Sequence, residues 1–182
     1  GVAEYNSLDW KLYPDSLQLP NSPYSFIRAL DDGSIWVAGQ NSEGFTINYL
    51  KNEKWHSIKT EAIDKVKSKF TFDVKMKQKG YQLVIGNQNY LQILNTSEDK
   101  LERVLLPTTK SAEIYSVSFR EDKIYIPSSE GLFVFDETIK SHEVTKLLGS
   151  KKEILQITWH NNHLYLLGKN WLGHYKNDQL VY

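Results

Sequence analysis

The chain has 182 residues, enough for one large domain or two small ones. Its 22 basic and 22 acidic side chains cancel, which argues against a general nucleic-acid or anionic-membrane surface, since both need excess positive charge. With no cysteine, disulfides, thiolate metal sites and cysteine nucleophiles are excluded.

The first predicted element is a short strand at 9–13, DWKLY, close in pattern to EKWHSI at 53–58. Then comes a set of four strands. SFIRAL (25–30) leads through the turn DDG into SIWVAG (34–39), followed by FTINYL (45–50) and a more polar KWHSIK (54–59). Thr60–Lys69, TEAIDKVKSK, breaks the pattern: Ala62, Ile63 and Val66 fall near helical spacing, so a short helical insertion is expected near 60–69. From Lys51 to Gln88, nine lysines stand against four acids, which reads as a solvated face.

The four-strand order then returns three times. TFDVKM, QLVIG, YLQIL and ERVLL fill 71–106 around the turn QKG. IYSVSF, KIYIP, GLFVF and HEVTKL fill 114–147 around RED. ILQITW, HLYLLG, WLGHY and a short QLVY fill 154–182 around HNN. The turns are rich in Gly, Asn and Asp, as hairpins with positive φ require. Aligning Trp36, Leu83, Tyr125 and Tyr165 gives steps of 47, 42 and 40 residues, the period of a propeller blade. The middle strands are nearly continuous in apolar residues, as when both faces of a sheet are covered.

An all-β fold follows: a single β-propeller or propeller segment over 1–182, with about four blades of four antiparallel strands. The blades are expected at about 24–58, 71–106, 114–147 and 154–182, preceded by the outer strand 9–13 of an earlier blade. Either that strand latches a closed ring or the chain is part of a larger ring. The last blade has its own fourth strand and leaves no vacancy, which favours the larger ring.

Residues 27–39, IRALDDGSIWVAG, resemble the two-component regulator propeller repeat. Ile27, Asp31 or Asp32, Gly33, Ile35, Trp36 and Val37 carry the likeness, and Gly44-Phe45 and Gly131-Leu132 continue it. The other units keep the spacing but replace the tryptophan, and the third has Ser128 where the first ends in Gly39. The resemblance implies a periplasmic or extracellular sensor region ahead of a transmembrane helix and a kinase module, with carbohydrates and other nutrients as signals. No apolar segment here reaches the roughly 20 residues that span a bilayer, so this segment is not expected to insert. No signal-peptide pattern opens the chain, so export implies a leader already removed. WD-repeat and kelch signatures are missing. Asp31-x-Gly33-x-x-Trp36 overlaps the Asp-box turn of sialidases, but it occurs once, and Arg28, Arg103 and Arg120 fall on different strand types.

Enzymatic signals are sparse, and no catalytic residue is assigned. Glu43 and Glu130 hold equivalent positions before a glycine and could face one another as glycosidase acids do, though a repeated turn residue explains them more simply. His160 and His163 flank a hairpin turn with His174 on the next strand; an exposed turn is the plainer reading, and no metal or cofactor is expected. The loops joining second to third strands are GQNSEG, GNQNY, PSSEG and GKNW. In a propeller these share one face with the connections between blades, a common ligand site. The candidate ligand-binding residues are Gln40, Asn41, Glu43, Asn87, Gln88, Asn89, Tyr90, Ser129, Glu130, Asn170 and Trp171. Their amides and hydroxyls both donate and accept, and Tyr90 and Trp171 could stack on a ring, which suits a small neutral polar ligand such as a carbohydrate. Three functions remain open. The first is a non-catalytic extracytoplasmic sensor segment. The second is an interaction scaffold pairing with another copy or further blades, and the third is a propeller hydrolase or lyase.

Overall fold

The computed structural model describes residues 2–5, 10–13, 24–41, 44–59, 63, 70–109, 112–138, 144–148, 153–176 and 179–181. Every element among them is a β-strand. The expected helix near 60–69 lies outside the described residues, apart from Ile63, which is buried. The chain divides into two compact units, Gly1–Lys65 and Val66–Tyr182.

In the first unit, β1 (Val2–Tyr5) pairs antiparallel with β2 (Trp10–Tyr13), so the expected N-terminal strand has a partner that sequence reading did not pick out. The same unit holds a four-stranded meander of β3 (Tyr24–Ala29), β4 (Ile35–Asn41), β5 (Gly44–Lys51) and β6 (Lys54–Ile58). The turn into β4 is held by Asp32. One carboxylate oxygen accepts from the Ser34 backbone N–H at 3.1 Å and from its hydroxyl at 2.6 Å, and the other pairs with Lys51 at 2.8 Å. Ser34 Oγ in turn accepts the Trp36 indole N–H at 3.0 Å. Trp36 is fully buried, and its ring stacks on Tyr49, which stacks on His56. The pattern Asp-x-Ser-x-Trp is therefore a local device that lets an indole be buried with its donor satisfied.

The second unit holds three more antiparallel meanders. Blade 2 is β7 (Phe70–Met76), β8 (Tyr81–Asn87), β9 (Tyr90–Asn95) and β10 (Lys100–Leu105). Blade 3 is β11 (Ser118–Arg120), β12 (Lys123–Ser128), β13 (Gly131–Asp136) and β14 (Val144–Leu148). Blade 4 is β15 (Gln156–His160), β16 (His163–Gly168), β17 (Trp171–Lys176) and β18 (Gln179–Val181). All seven residues of β8 are buried, the polar Gln82 and Asn87 included, as expected of a strand covered on both faces. Val84, Leu91, Ile93 and Val104 of blade 2 pack against Ile124, Ile126, Phe133 and Phe135 of blade 3. Leu132 of blade 3, flanked by Tyr125, packs against Ile157, Leu164 and Leu166 of blade 4.

Two expectations shift in detail. The first strand of blade 3 is regular only over Ser118–Arg120, and Ile114 reaches the sheet through an isolated bridge to Ser128. Counted back from the turn after the second strand, Trp36, Tyr125 and Tyr165 fall on one face of their sheets and Leu83 on the other, where Val84 takes the equivalent place. Alternation explains this: β8 has seven residues where β12 and β16 have six, so a match counted from the preceding turn lands on the opposite face.

Candidate functional site

All four meanders close the second-to-third strand connection in the same way. Asn41 opposes Gly44, Asn87 opposes Tyr90, Ser128 opposes Gly131 and Gly168 opposes Trp171, each pair with two residues between its members in the chain. The candidate residues thus sit at tight hairpin ends, not on long loops. Gln40 stands opposite Phe45 one register step earlier. Glu43 lies outside the described residues, so its pairing with Glu130 across a cleft has no geometry here.

In blade 2, Asn87 is buried and its amide donates to the Tyr90 hydroxyl at 2.9 Å. The Arg103 guanidinium lies 5.2 Å from the Tyr90 ring centre. Tyr90 is therefore held by its own sheet at both its hydroxyl and its ring. Gln88 has φ of 48° and an exposed side chain. The turn's carbonyls face the segment that runs on to blade 3: Gln88 accepts from the Ile114 N–H at 3.1 Å, and Asn89 from the Leu106 N–H at 2.8 Å.

Blade 3 repeats the clasp with added side-chain bonds. Ser128 is fully buried; its hydroxyl donates to the Gly131 carbonyl at 2.9 Å and accepts from the Glu130 N–H at 3.1 Å. Its carbonyl accepts from Ile154, which enters blade 4, at 3.0 Å. Ser129 and Glu113 exchange two bonds: the Ser129 N–H donates to the Glu113 carbonyl at 2.9 Å, and the Glu113 N–H donates to the Ser129 hydroxyl at 3.0 Å. Glu130 accepts from the Thr109 N–H at 3.0 Å and from its hydroxyl. The Thr109 hydroxyl holds the Glu130 carboxyl below its ordinary value; burial opposes this, and the Thr109 backbone N–H adds to the lowering. A carboxylate tied this way serves as an anchor for the inter-blade segment.

In blade 4, Asn170 is exposed, and Trp171 packs on the cluster of Leu132, Ile154, Ile157, Leu164 and Leu166. Its indole lies flat over Gly168: a Cβ there would come within 1.9 Å of Nε1. Of the described candidates, the side chains of Gln88 and Asn170 are those most open to solvent. The structure ties the blade 2 and blade 3 turns to residues 106–109 and 112–117. It gives Tyr90, Ser129, Glu130 and Trp171 packing or hydrogen-bonding partners within the protein.

The other chemical suggestions have equally local explanations. Arg103 covers Tyr90, while Arg120 sits 4.0 Å from the Trp159 ring centre and donates to Asn162 at 2.8 Å, so the two engage different aromatic rings. His163 and His174 lie edge to face at 6.4 Å, and among the described residues no group of three His, Asp or Glu could hold a metal ion. Nor, among them, is any helix long and apolar enough to cross a membrane.

Sequence reasoning missed a cavity of about 680 Å³ at the other end of blade 2. It lies beside the 77–80 and 96–99 turns and is closed on its far side by Phe135 and Glu137 of blade 3. The buried Gln82 donates its amide N–H to Glu137, and Lys75 and Lys77 pair with the same carboxylate. Burial lowers the Lys75 ammonium from its ordinary value of 10.5, partly offset by the hydrogen bond and charge of Glu137. The signal was present in the sequence as the lysine-rich stretch, which strand alternation splits between sheet and turn.

No family model and no curated protein sequence matches the chain. Solved structures do match in fold. Two crystal structures of the extracellular domain of BT4673 from B. thetaiotaomicron, described as a one component system in one case and a hybrid two component system in the other, align with TM-scores of 0.63. Identities are 16% and 17%, over 87% and 86% of this chain, which spans only 21% of theirs. The computationally designed Ika4 protein aligns at 0.58 with 14% identity, covering 86% of this chain and 92% of its own. Apo AztD from Citrobacter koseri aligns at 0.54 with 11% identity, over 86% of this chain and 45% of its own. The same meanders thus make up nearly all of one known chain, about half of another and a fifth of a third, and at these identities the likeness establishes the all-β fold.

Proposed function

We propose that this chain is a segment of a β-propeller serving as the extracytoplasmic, periplasmic or extracellular, sensor region of a two-component-type regulator, and that it recognises a small polar ligand without catalysis. One observation carries the reading: the array of four-stranded meanders aligns over 87% of the chain with the extracellular domain of a signalling protein. The repeat motif at 27–39 points the same way. Thermal unfolding of the chain with a panel of sugars and oligosaccharides tests it, because a ligand of the native state raises the melting temperature. A 100-fold excess over Kd stabilises by about 2.7 kcal/mol. A melting temperature that no compound moves refutes the ligand-binding part.

A second reading, an interaction scaffold, is favoured by a different observation. Leu167 and Leu172 oppose each other on blade 4 and are 43% and 65% exposed, whereas Leu132, at the blade 3 position equivalent to Leu172, is fully buried against blade 4. A free blade face of this kind suits a further blade. Mass measurement in solution decides: a dimer that Leu172→Glu dissolves supports the scaffold, and a monomer removes it.

A further inference from the structure

We infer that the free face of blade 4 docks head to tail on blade 1, the meander β3–β6, of a second copy of this chain; this rests on the scaffold reading above. The contacts between blades 2 and 3 and between blades 3 and 4 use the same positions. A leucine follows each second-to-third turn: Leu91 after Tyr90 and Leu132 after Gly131, both fully buried. The first strand carries a cation near its end, Lys75 opposite Gln82 and Arg120 opposite Lys123. Each cation reaches over an aromatic ring of the next blade. Lys75 Nζ lies 4.7 Å from the Phe119 ring centre, and the Arg120 guanidinium 4.0 Å from that of Trp159. Each also donates to the first turn of that blade, Lys75 to the Glu121 carbonyl at 3.0 Å and Arg120 to the Asn162 side chain at 2.8 Å.

Blades 4 and 1 carry the two halves of one more contact of this kind. On blade 4, Leu172 stands at the leucine position, and His160, opposite His163, stands at the cation position; both side chains are exposed. On blade 1, Ile27 pairs with Val37 as Phe119 pairs with Ile124 and Trp159 with Leu164. Each of these partners lies four residues before the last paired residue of its second strand. Ile27 therefore holds the receiving position, and it is 53% exposed. Exposed apolar side chains at positions that neighbouring blades cover elsewhere mark an interaction surface. Charge agrees with the match. The turn after Ile27 is the counterpart of those that accept from Lys75 and Arg120, and it carries the exposed Asp31 to meet the basic His160. Leu172 and Ile27 stand on opposite faces of their sheets, as alternation along the strands requires. The contact is therefore heterologous: the blade 4 face of one copy meets the blade 1 face of the other.

Sedimentation equilibrium of the 182-residue chain tests this. The chain is expected to associate, and Leu172→Glu and Ile27→Glu are each expected to weaken association at least about tenfold, a difference of about 1.4 kcal/mol. Both side chains are exposed, so the far-UV circular dichroism of each variant should match the parent. An equimolar mixture of the two variants is expected to form a two-copy complex with the parent's affinity. The Ile27→Glu copy keeps its blade 4 face and the Leu172→Glu copy keeps its blade 1 face, so one sound contact remains between them. His160→Glu, set against Asp31, is expected to weaken association about threefold. A chain that stays monomeric overturns both this inference and the scaffold reading. A dimer that Leu172→Glu dissolves but Ile27→Glu leaves intact pairs blade 4 with some other surface. That result, or a mixture that fails to restore the complex, overturns the inference and leaves the scaffold reading standing.

Discussion

Substituting Gly168 by alanine tests whether Trp171 is a packing residue or an open stacking platform. The new Cβ would come within 1.9 Å of the indole Nε1, 2.2 Å of Cε2 and 2.6 Å of Cδ1, so the ring must leave its place. Burying an aromatic side chain removes about 150–250 Å² from water, worth about 4–6 kcal/mol at about 25 cal/mol per Å². Trp171 is half-buried, and a displaced ring can recover some contact elsewhere, so the expected loss is about 2 kcal/mol. For a chain of this length that lowers the melting temperature by roughly 4–8 °C. Thermal unfolding followed by circular dichroism reads the shift. The double variant Gly168→Ala with Trp171→Ala is expected to cost no more than Trp171→Ala alone, because the clash is gone with the ring. If both single variants melt within about 1 °C of the parent, the ring does not contribute to blade 4 and its assignment to packing fails.

Three further outcomes follow from other parts of the structure. Leu132→Ala should cost about 3 kcal/mol and Leu172→Ala less than about 0.5 kcal/mol by denaturant unfolding, since one is fully buried between blades and the other is 65% exposed. Thr109→Val removes the hydroxyl that lowers the Glu130 carboxyl. The stability linked to that lowered value is present above the ordinary carboxylate range and lost as pH falls through the folded-state value, so in the valine variant the Glu130 carboxyl titrates at higher pH by NMR and the chain loses less on acidification. Asn52 and Glu53 both have positive φ in the hairpin joining β5 to β6, so Glu53→Gly completes an Asn-Gly turn and should raise stability by about 0.5–1 kcal/mol.

The repeat was legible because packed sheets impose apolar runs between short polar turns, and such runs recur at a near-constant spacing whatever residues fill them. The placement of the turns was legible for the same reason. What each turn residue does was not. Glu130 reads as an open acid until Thr109, 21 positions earlier, is brought beside it. Trp171 reads as a stacking platform until Gly168 is seen to leave room for its ring. The cavity was hidden further, because Gln82, Lys100 and Glu137 belong to three different strands or turns and share no local pattern. Leu83 shows the limit of a period count: one extra residue in a strand leaves the spacing intact and reverses the face.

The clasp at Gln88-Asn89 holds the oncoming segment by main-chain carbonyls alone. Such a grip constrains its residues through backbone conformation, Gln88 having φ of 48°, rather than through side-chain chemistry. Either side chain can change its polarity within that conformation while the main-chain hold on the next blade stays as it is. Glu130 and Ser128 lack that freedom, since their side chains carry the grip, and the same rim therefore holds both variable and fixed positions.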